Sequence, residues 1–469
     1  MNEKAEKPRL SGRYFGTDGF RGEAGVTLTA EHAFRLGRFL GWYLGERAKR
    51  AGEGNKRVRT VIGKDPRLSG YMLEYAVAAG LAASGADAYL LHVTTTPSVS
   101  FVTRSEGFDC GIMISASHNP FSDNGIKVMN RMGEKMEEDV LRAAEDYLDG
   151  IWQTDEGDGG DLPFAHGQAV GKTVDYVEGR NRYLGYLLSL TTFSLHGMKI
   201  GIDAANGSAW SLARSVFDAL GATTVQRGAS PNGKNINRGC GSTHPEALAR
   251  MVRERGLDVG FAFDGDADRC IAADERGQVV DGAGLLYAVG RHMKREGSLR
   301  GGVVSTVMAN SGLEAALARE GIPLLRTPVG DKYVYAAMMK SGWNLGGEPS
   351  GHIIFSRYAT TGDGILTALE VLRVMRQTGQ PLSALAAPYV PLPEAQLSIA
   401  VRSPAAAAAG RALGEAVRET EEALGGRGRV LVRASGTEPV VRILVESEDD
   451  ETCRCLARHL ADVIREEGL

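Results

Sequence analysis

Three aspartates stand at alternate positions in Asp264-Gly265-Asp266-Ala267-Asp268, after an apolar strand end at Phe261-Ala262-Phe263 and just before Arg269. Carboxylates this close repel and raise one another's pKa. A divalent cation removes that conflict, and a set of oxygen ligands selects Mg2+, Mn2+ or Ca2+ over zinc. An EF-hand does not fit: Glu275 stands at the twelfth loop position, but Arg269 occupies the sixth, where the turn needs glycine. The competing reading, a solvated acidic turn, explains the alternation less well.

A second stretch runs from Gly111 to Met129. The apolar run 112–114 reads as a strand end that breaks into Ser115, Ser117, His118, Asn119 and Pro120. Pro120 keeps Asn119 out of a helix. An apolar run resumes at Ile126 with Lys127 inside it, so a serine, a histidine and a lysine share one loop region. Serine becomes useful when a base takes its proton or when it carries a group covalently. Alone, the Ser-His pair reads better as a β-turn rich in turn formers.

Three further loops carry polar groups. Gly346-Gly347-Glu348-Pro349-Ser350-Gly351-His352 offers a carboxylate, a hydroxyl and an imidazole, groups that bond the vicinal hydroxyls of a sugar. A turn with a satisfied histidine is the alternative. Arg433-Ala434-Ser435-Gly436-Thr437-Glu438-Pro439 combines an arginine, two hydroxyls and a glycine backbone suited to cradling phosphate. Arg21, at the tip of Gly16-Thr17-Asp18-Gly19-Phe20-Arg21-Gly22, could clamp a phosphate or stand in solvent.

The elements that must position these loops recur. An apolar strand, a small polar loop, a helix, a glycine and a second strand appear at 58–93, 199–226 and 302–326. Each is a βαβ unit with glycine stopping the helix, and a right-handed crossover makes its strands parallel. After three prolines in 386–393 the pattern changes to strands at 397–401, 429–433 and 440–446, with helices at 405–424 and near the end. The expectation is an α/β protein with three similar α/β domains in series plus a smaller C-terminal α+β domain. Its expected divisions are 1–160 with the serine loop, 161–270 with the aspartate loop, 271–386 with the glutamate loop and 387–469 with the arginine loop. At 469 residues the chain is too long for one core.

Composition sets outer bounds. Charged residues are 24% and apolar ones 43%, as in an ordinary soluble protein. A net charge of −4 argues against a nucleic-acid groove. No apolar run spans a bilayer, and the first residues lack the core of a signal peptide, so no membrane partner is expected. Five scattered cysteines fit a reducing cytoplasm. Cys453 and Cys455 read as surface thiols, and residues 1–13 as a frayed end.

One serine loop, one aspartate loop, one polyol loop and one phosphate loop, in that order, resemble the α-D-phosphohexomutase superfamily along nearly the whole chain. The resemblance implies four domains around a central cleft and transfer of a phosphoryl group between O1 and O6 of a hexose. It implies that Ser117 carries the phosphate and that Mg2+ is held by Asp264, Asp266, Asp268 and the modified Ser117. Glu348, Ser350 and His352 then read sugar hydroxyls, while Arg433, Ser435, Gly436 and Thr437 take the other phosphate. Arg21, His118, Lys127 and Arg269 match further cleft positions, with Lys127 a proton-transfer residue.

Within the superfamily the chain is most similar to the bacterial branch acting on glucosamine phosphates, which feeds amino-sugar nucleotide and cell-wall synthesis. The supporting stretches are 14–19, 235–244, 303–310 and 358–364. Glucosamine 1,6-bisphosphate is the implied activator. Phe20, Ala267, Pro349 and Ala434 depart from the family's usual Ile, Gly, Gln and Pro. The same chemistry on glucose or mannose phosphates is the alternative; a serine phosphomonoesterase and a non-catalytic sugar-phosphate binder are the competing classes. Oligomeric state stays open, a homodimer included.

Overall fold

The computed structural model describes residues 13–53, 56–152, 161–435 and 439–466. These form two compact units: one holds the chain up to Val307 with Leu325–Ala386, the other Met308–Leu324 with the chain from Ala387.

The first unit contains three sheets. The seven-stranded sheet has the order Phe15–Gly16, Gly19–Glu23, Asp123–Met129, Cys110–Ile114, Arg59–Lys64, Asp87–Val93, Thr173–Asp175. Its centre is parallel, as the first βαβ unit requires. Arg59–Lys64 is buried from Thr60 onward because both its faces are covered. The serine loop joins Cys110–Ile114 to the antiparallel strand Asp123–Met129, with Met113 opposite Lys127. Gly19–Glu23 pairs next, placing Arg21 opposite Gly125.

The five-stranded sheet has the order Val279–Val280, Cys270–Asp274, Val259–Phe263, Lys199–Asp203, Thr223–Arg227. The aspartate loop connects the antiparallel pair Val259–Phe263 and Cys270–Asp274. The third sheet, Leu324–Thr327, Val303–Thr306, Leu345–Gly347, Ile353–Phe355, carries the glutamate loop between its last two strands, again antiparallel. In all three sheets, the chemistry-bearing loop thus follows a buried strand and is closed by an antiparallel partner that the βαβ reading does not contain.

Two strands pair across the expected divisions. Thr173–Asp175 pairs with Asp87–Val93 in the first sheet, beyond the expected division at 160/161. Gly171 packs there so closely that a Cβ would lie 1.9 Å from Ala86 O. Cys270–Asp274 likewise stays with the sheet of the aspartate loop, across the expected 270/271 division.

In the second unit the strands Glu394–Ala400, Val440–Glu446 and Arg429–Ala434 form an antiparallel sheet. Ile399, Val430, Val441, Ile443 and Val445 turn one face toward Leu413, Leu424, Leu460 and Ile464 of the helices. The single helix expected at 405–424 is two, Pro404–Ala408 and Arg411–Leu424, parted at Gly410, which starts the second with a non-helical ψ of 142°. Arg13, expected to fray, bonds Asp146 and Asp149; residues 1–12 lie outside the described residues. Cys453 is buried, its thiol 3.1 Å from Pro393 O, and only Cys455 of that pair is exposed. No helix among the described residues is long and apolar enough to cross a membrane.

Asp363 links several elements of the first unit. It caps the helix Gly364–Thr378 by accepting Leu366 N–H at 3.0 Å, and accepts Tyr183 O–H at 2.9 Å. Burial pushes its carboxyl up to about 6. A raised carboxyl pKa means the folded state holds the proton more tightly than the unfolded one. Its contribution is therefore full below pH 3.8 and is lost as pH rises through 6. Asn keeps the capping acceptor without the charge. Between pH 5 and pH 7.5, Asp363→Asn should gain about 1 kcal/mol on the native protein, read as a smaller drop in melting temperature. An equal drop in both proteins would contradict it.

Candidate active site

Ser117 is buried, not on an exposed loop as its polar surroundings suggest. Its φ of 52° lies in the left-handed region, which costs a residue with a side chain about 1–2 kcal/mol. Its Oγ donates to Asp264 Oδ2 at 2.5 Å. The serine and aspartate loops, 147 residues apart, thus meet at the expected nucleophile.

Asp264, Asp266 and Asp268 are all buried, and each offers an oxygen within 4.8 Å of the others. Lys127 Nζ donates to Asp266 Oδ2 at 2.5 Å and to Asp268 Oδ2 at 3.0 Å. Thr96 Oγ1 also donates to Asp266 Oδ2. Burial, then Asp268 and Asp266, push the Asp264 carboxyl well above its usual range. For Asp268, burial works in the same sense, but Lys127, His352 and Arg269 outweigh it and hold that carboxyl well below its usual range. Burial likewise opposes charge on Lys127, yet Asp266 and Asp268 keep its pKa raised.

The three carboxylates fit a hard divalent cation. Asp266 Oδ1 and Asp268 Oδ1 are buried without a hydrogen-bond partner. Unmet carboxylate oxygens in a buried site are costly, and oxygen donors are what such an ion takes. Glu275, the residue at the EF-hand twelfth position, instead bonds Ser383 and has no part in the site.

A cavity of about 330 Å³ opens beside the aspartates, in the size range of small-molecule sites. Arg21, Lys127, Asp268, Arg269, Glu348 and His352 line it; Ser117, His118, Asp264, Asp266 and Ser350 do not. Arg21 lies 3.3 Å from Asp18, and the Nε of both Arg21 and Arg269 is buried without a hydrogen-bond partner. Arg269 Nη1 meets His118 Nδ1 at 2.9 Å. Burial, then Arg269 and Arg21, push the His118 imidazole down to about 4, so the ring is neutral near pH 7 and can accept that bond. His118 Nδ1 is also 3.4 Å from Ser117 Oγ, but the serine proton is directed to Asp264.

The glutamate loop is pinned to the aspartate loop. Cys270 N–H donates to Gly351 O at 3.0 Å, and a Cβ on Gly351 (φ 95°) would lie 2.3 Å from Cys270 O. His352 is buried, with Nδ1 3.8 Å from Asp268 Oδ1 and Nε2 accepting Gly362 N–H at 2.9 Å. Ser350 is exposed, its hydroxyl 3.4 Å from Glu348.

Sequence reasoning missed several charged or polar groups. Lys135 and Asp331 line the same cavity and pair at 2.5 Å. Arg67, Asp65 and Asn237 bond the serine loop. Asp65-Pro66-Arg67 reads as an ordinary loop after a strand; that both charges are buried follows from contacts fifty or more residues away.

In the second unit, Arg433 faces Arg442 across the sheet. Both line a cavity of about 100 Å³ with Gln396, Ser398, Leu431 and Leu444. Like charges placed directly opposite repel, and burial followed by Arg442 lowers the Arg433 pKa. Ser435 N–H bonds Val440 O at 2.9 Å at the start of the loop. Gly436 and Thr437 lie outside the described residues.

Comparisons with known proteins agree along the chain. Family models match for phosphoglucomutase/phosphomannomutase alpha/beta/alpha domain I at residues 12–154, domain II at 176–277, domain III at 281–391 and the C-terminal domain at 390–463. The chain is 56% identical over 458 residues to the phosphoglucosamine mutase of Lachnospira eligens, covering 97% of this chain and 99% of that one. The enzyme of that name from Geobacillus thermodenitrificans is 46% identical over 457 residues, with 97% and 99% covered. Among solved structures, a phosphoglucomutase/phosphomannomutase family protein from Burkholderia thailandensis superimposes with a TM-score of 0.74 at 23% identity, covering 96% and 97% of the two chains. The N-acetylphosphoglucosamine mutase of Aspergillus fumigatus, solved with GlcNAc-6P and magnesium, gives 0.67 at 18% identity, covering 98% and 96%. The two structures establish the shared multi-domain α/β fold, and with the full-length relatives they lead to one conclusion: the chain belongs to the phosphoglucosamine mutase family of the α-D-phosphohexomutases.

Proposed function

We propose that the protein interconverts glucosamine 6-phosphate and glucosamine 1-phosphate, an intramolecular phosphotransfer through a phosphoserine at Ser117 and a glucosamine 1,6-bisphosphate intermediate. The observation that carries this reading is Ser117 Oγ at 2.5 Å from Asp264, within a buried trio of carboxylates that has unmet oxygens. Asp264, Asp266, Asp268 and the phosphorylated Ser117 would hold Mg2+. When bound, the ion supplies positive charge to the phosphoryl group being transferred.

The chain's own residues do the rest. Lys127, charged and on the cavity wall, holds a proton within reach of a sugar oxygen. Arg21 and Arg269 present guanidinium groups to phosphate, and neutral His118 orients Arg269. Glu348, Ser350 and His352 read sugar hydroxyls; His352 also steadies Asp268. Arg433 and Ser435, with Gly436 and Thr437, take the phosphate that is not reacting. Glucosamine 1,6-bisphosphate serves as activator by recharging Ser117. We assign one of these loops to each of four domains, and place the enzyme in the cytoplasm with a small sugar phosphate as its partner and no nucleic-acid or membrane partner.

Glucose or mannose phosphates are a second reading, motivated by Pro349 in the sugar loop, a departure from the Gln that the family resemblance implies there. Its carbonyl accepts Gly282 N–H at 3.0 Å, so the substitution sits in a fixed part of the loop. Comparing kcat/KM for the three sugar 6-phosphates decides. The proposal requires glucosamine 6-phosphate to lead by about tenfold or more, the range a hydrogen-bonding difference supplies. Equal values would make the protein a broad phosphohexomutase.

Arg433→Ala removes a charge-assisted contact to phosphate. It should cost about 2–3 kcal/mol in kcat/KM, for the 1-phosphate and the 6-phosphate alike. Initial rates measured in both directions check this. Loss with one isomer alone would mean two fixed phosphate sites and a sugar that does not reorient.

A further inference from the structure

The backbone of the serine loop is held by two side chains, Arg67 and Asn237. Fully buried Arg67 donates from Nη2 to Ser117 O and Asn119 O, both at 2.9 Å, and from Nη1 to Pro120 O and to Asp123 O at 3.1 Å. Its Nε bonds Asp65 at 2.8 Å. Asp65 also accepts from Ser115 Oγ at 2.6 Å, and Ser115 Oγ accepts Ser117 N–H at 2.9 Å.

Asn237 Nδ2 donates to the same two carbonyls, Ser117 O at 2.8 Å and Asn119 O at 3.1 Å. Both hydrogens of that amide are therefore used on the serine loop. Asn237 is buried, has a left-handed φ of 59°, and is fixed by its own N–H to Ala205 O at 2.8 Å. It does not line the cavity. Gly265, between the first two aspartates, closes the contact: a Cβ there would lie 2.4 Å from Ser117 O.

We infer that Asn237 and Arg67 clamp the strained Ser117 backbone against the aspartate loop, and that Asn237 is a positioning residue for phosphoryl transfer. A left-handed serine persists only where its surroundings over-determine it. Without Asn237 the two carbonyls keep Arg67, so the fold holds while the nucleophile drifts from Asp264. The inference rests on the reading of Ser117 as phosphoryl carrier. In the step concerned, the Ser117 Oγ–P bond forms as an O–P bond of the sugar bisphosphate breaks, and the serine proton passes to the departing sugar oxygen.

The test is single-turnover phosphorylation of the dephosphorylated full chain by glucosamine 1,6-bisphosphate with Mg2+, followed by intact mass. Asn237→Ala should slow phosphate uptake about a hundredfold, the effect of a misplacement near 1 Å. Half-saturation by the bisphosphate should stay within about threefold, because the sugar's contacts are untouched. Asn237→Asp keeps the side-chain shape and lacks the donors, so it should lose as much and answers the question even if the alanine variant folds poorly. Native-like rates in either folded variant, or a half-saturation that rises in step with the lost rate, would overturn the clamp. Failure of the native protein to take up phosphate would overturn the phosphoserine reading, and the clamp with it.

Discussion

Ser117→Ala should abolish mutase turnover, with kcat falling about ten-thousand-fold or more, as removal of an enzyme's nucleophile does. The fold should survive at a cost. Ser117 is buried, and its hydroxyl is a donor to a buried carboxylate, so its loss should cost about 1–3 kcal/mol. That exceeds what an exposed hydroxyl would cost. A coupled assay for glucosamine 1-phosphate and a melting curve check both parts. Activity retained at a tenth of native or more would remove Ser117 as carrier and point to Ser115, whose hydroxyl bonds Asp65.

Asp266→Asn should produce the second-largest loss, about a thousandfold in kcat, corresponding to the several kcal/mol that a divalent cation contributes to phosphoryl transfer. The amide keeps the shape and removes one charge from a hard-cation site. It also disturbs the bonds that Asp266 Oδ2 accepts from Lys127 and Thr96. Sugar phosphate should still bind, since Asp266 does not line the cavity. A Mg2+ titration of activity, with equilibrium dialysis of the sugar phosphate, separates the two effects. Native activity in the presence of a chelator would contradict the metal assignment.

Much of this site was legible in the chain because its chemistry is local. Three aspartates at alternate positions are an electrostatic problem wherever they lie, and the structure brings their oxygens together. The strand ends before Ser117 and Asp264 were marked by apolar runs that break into small polar residues, whereas Leu345-Gly346-Gly347 before Glu348 carries no such run. The closing strand of the serine loop was marked by the run resuming at Ile126, but those of the other two loops were not, because a short return strand such as Ile353–Phe355 looks like any apolar triplet. Nor was burial of charge: Arg67, Lys64 and Asp65 are fully buried although each belongs to a usually exposed type. Their partners lie on other elements, and only the folded chain shows them. The three-residue strand Thr173–Asp175 carries no alternation to read, and its pairing with Asp87–Val93 shows only in the folded chain.

The most direct test of the account follows phosphorus. The isolated protein is mixed with Mg2+, glucosamine 6-phosphate and a trace of glucosamine 1,6-bisphosphate, and the reaction is watched by phosphorus NMR. The account predicts that the 6-phosphate signal falls as the 1-phosphate signal rises to a constant ratio. Total ester phosphate should stay unchanged, and the isolated enzyme should carry phosphate on Ser117. Inorganic phosphate accumulating in proportion to lost substrate would make the protein a phosphatase and contradict the mutase assignment.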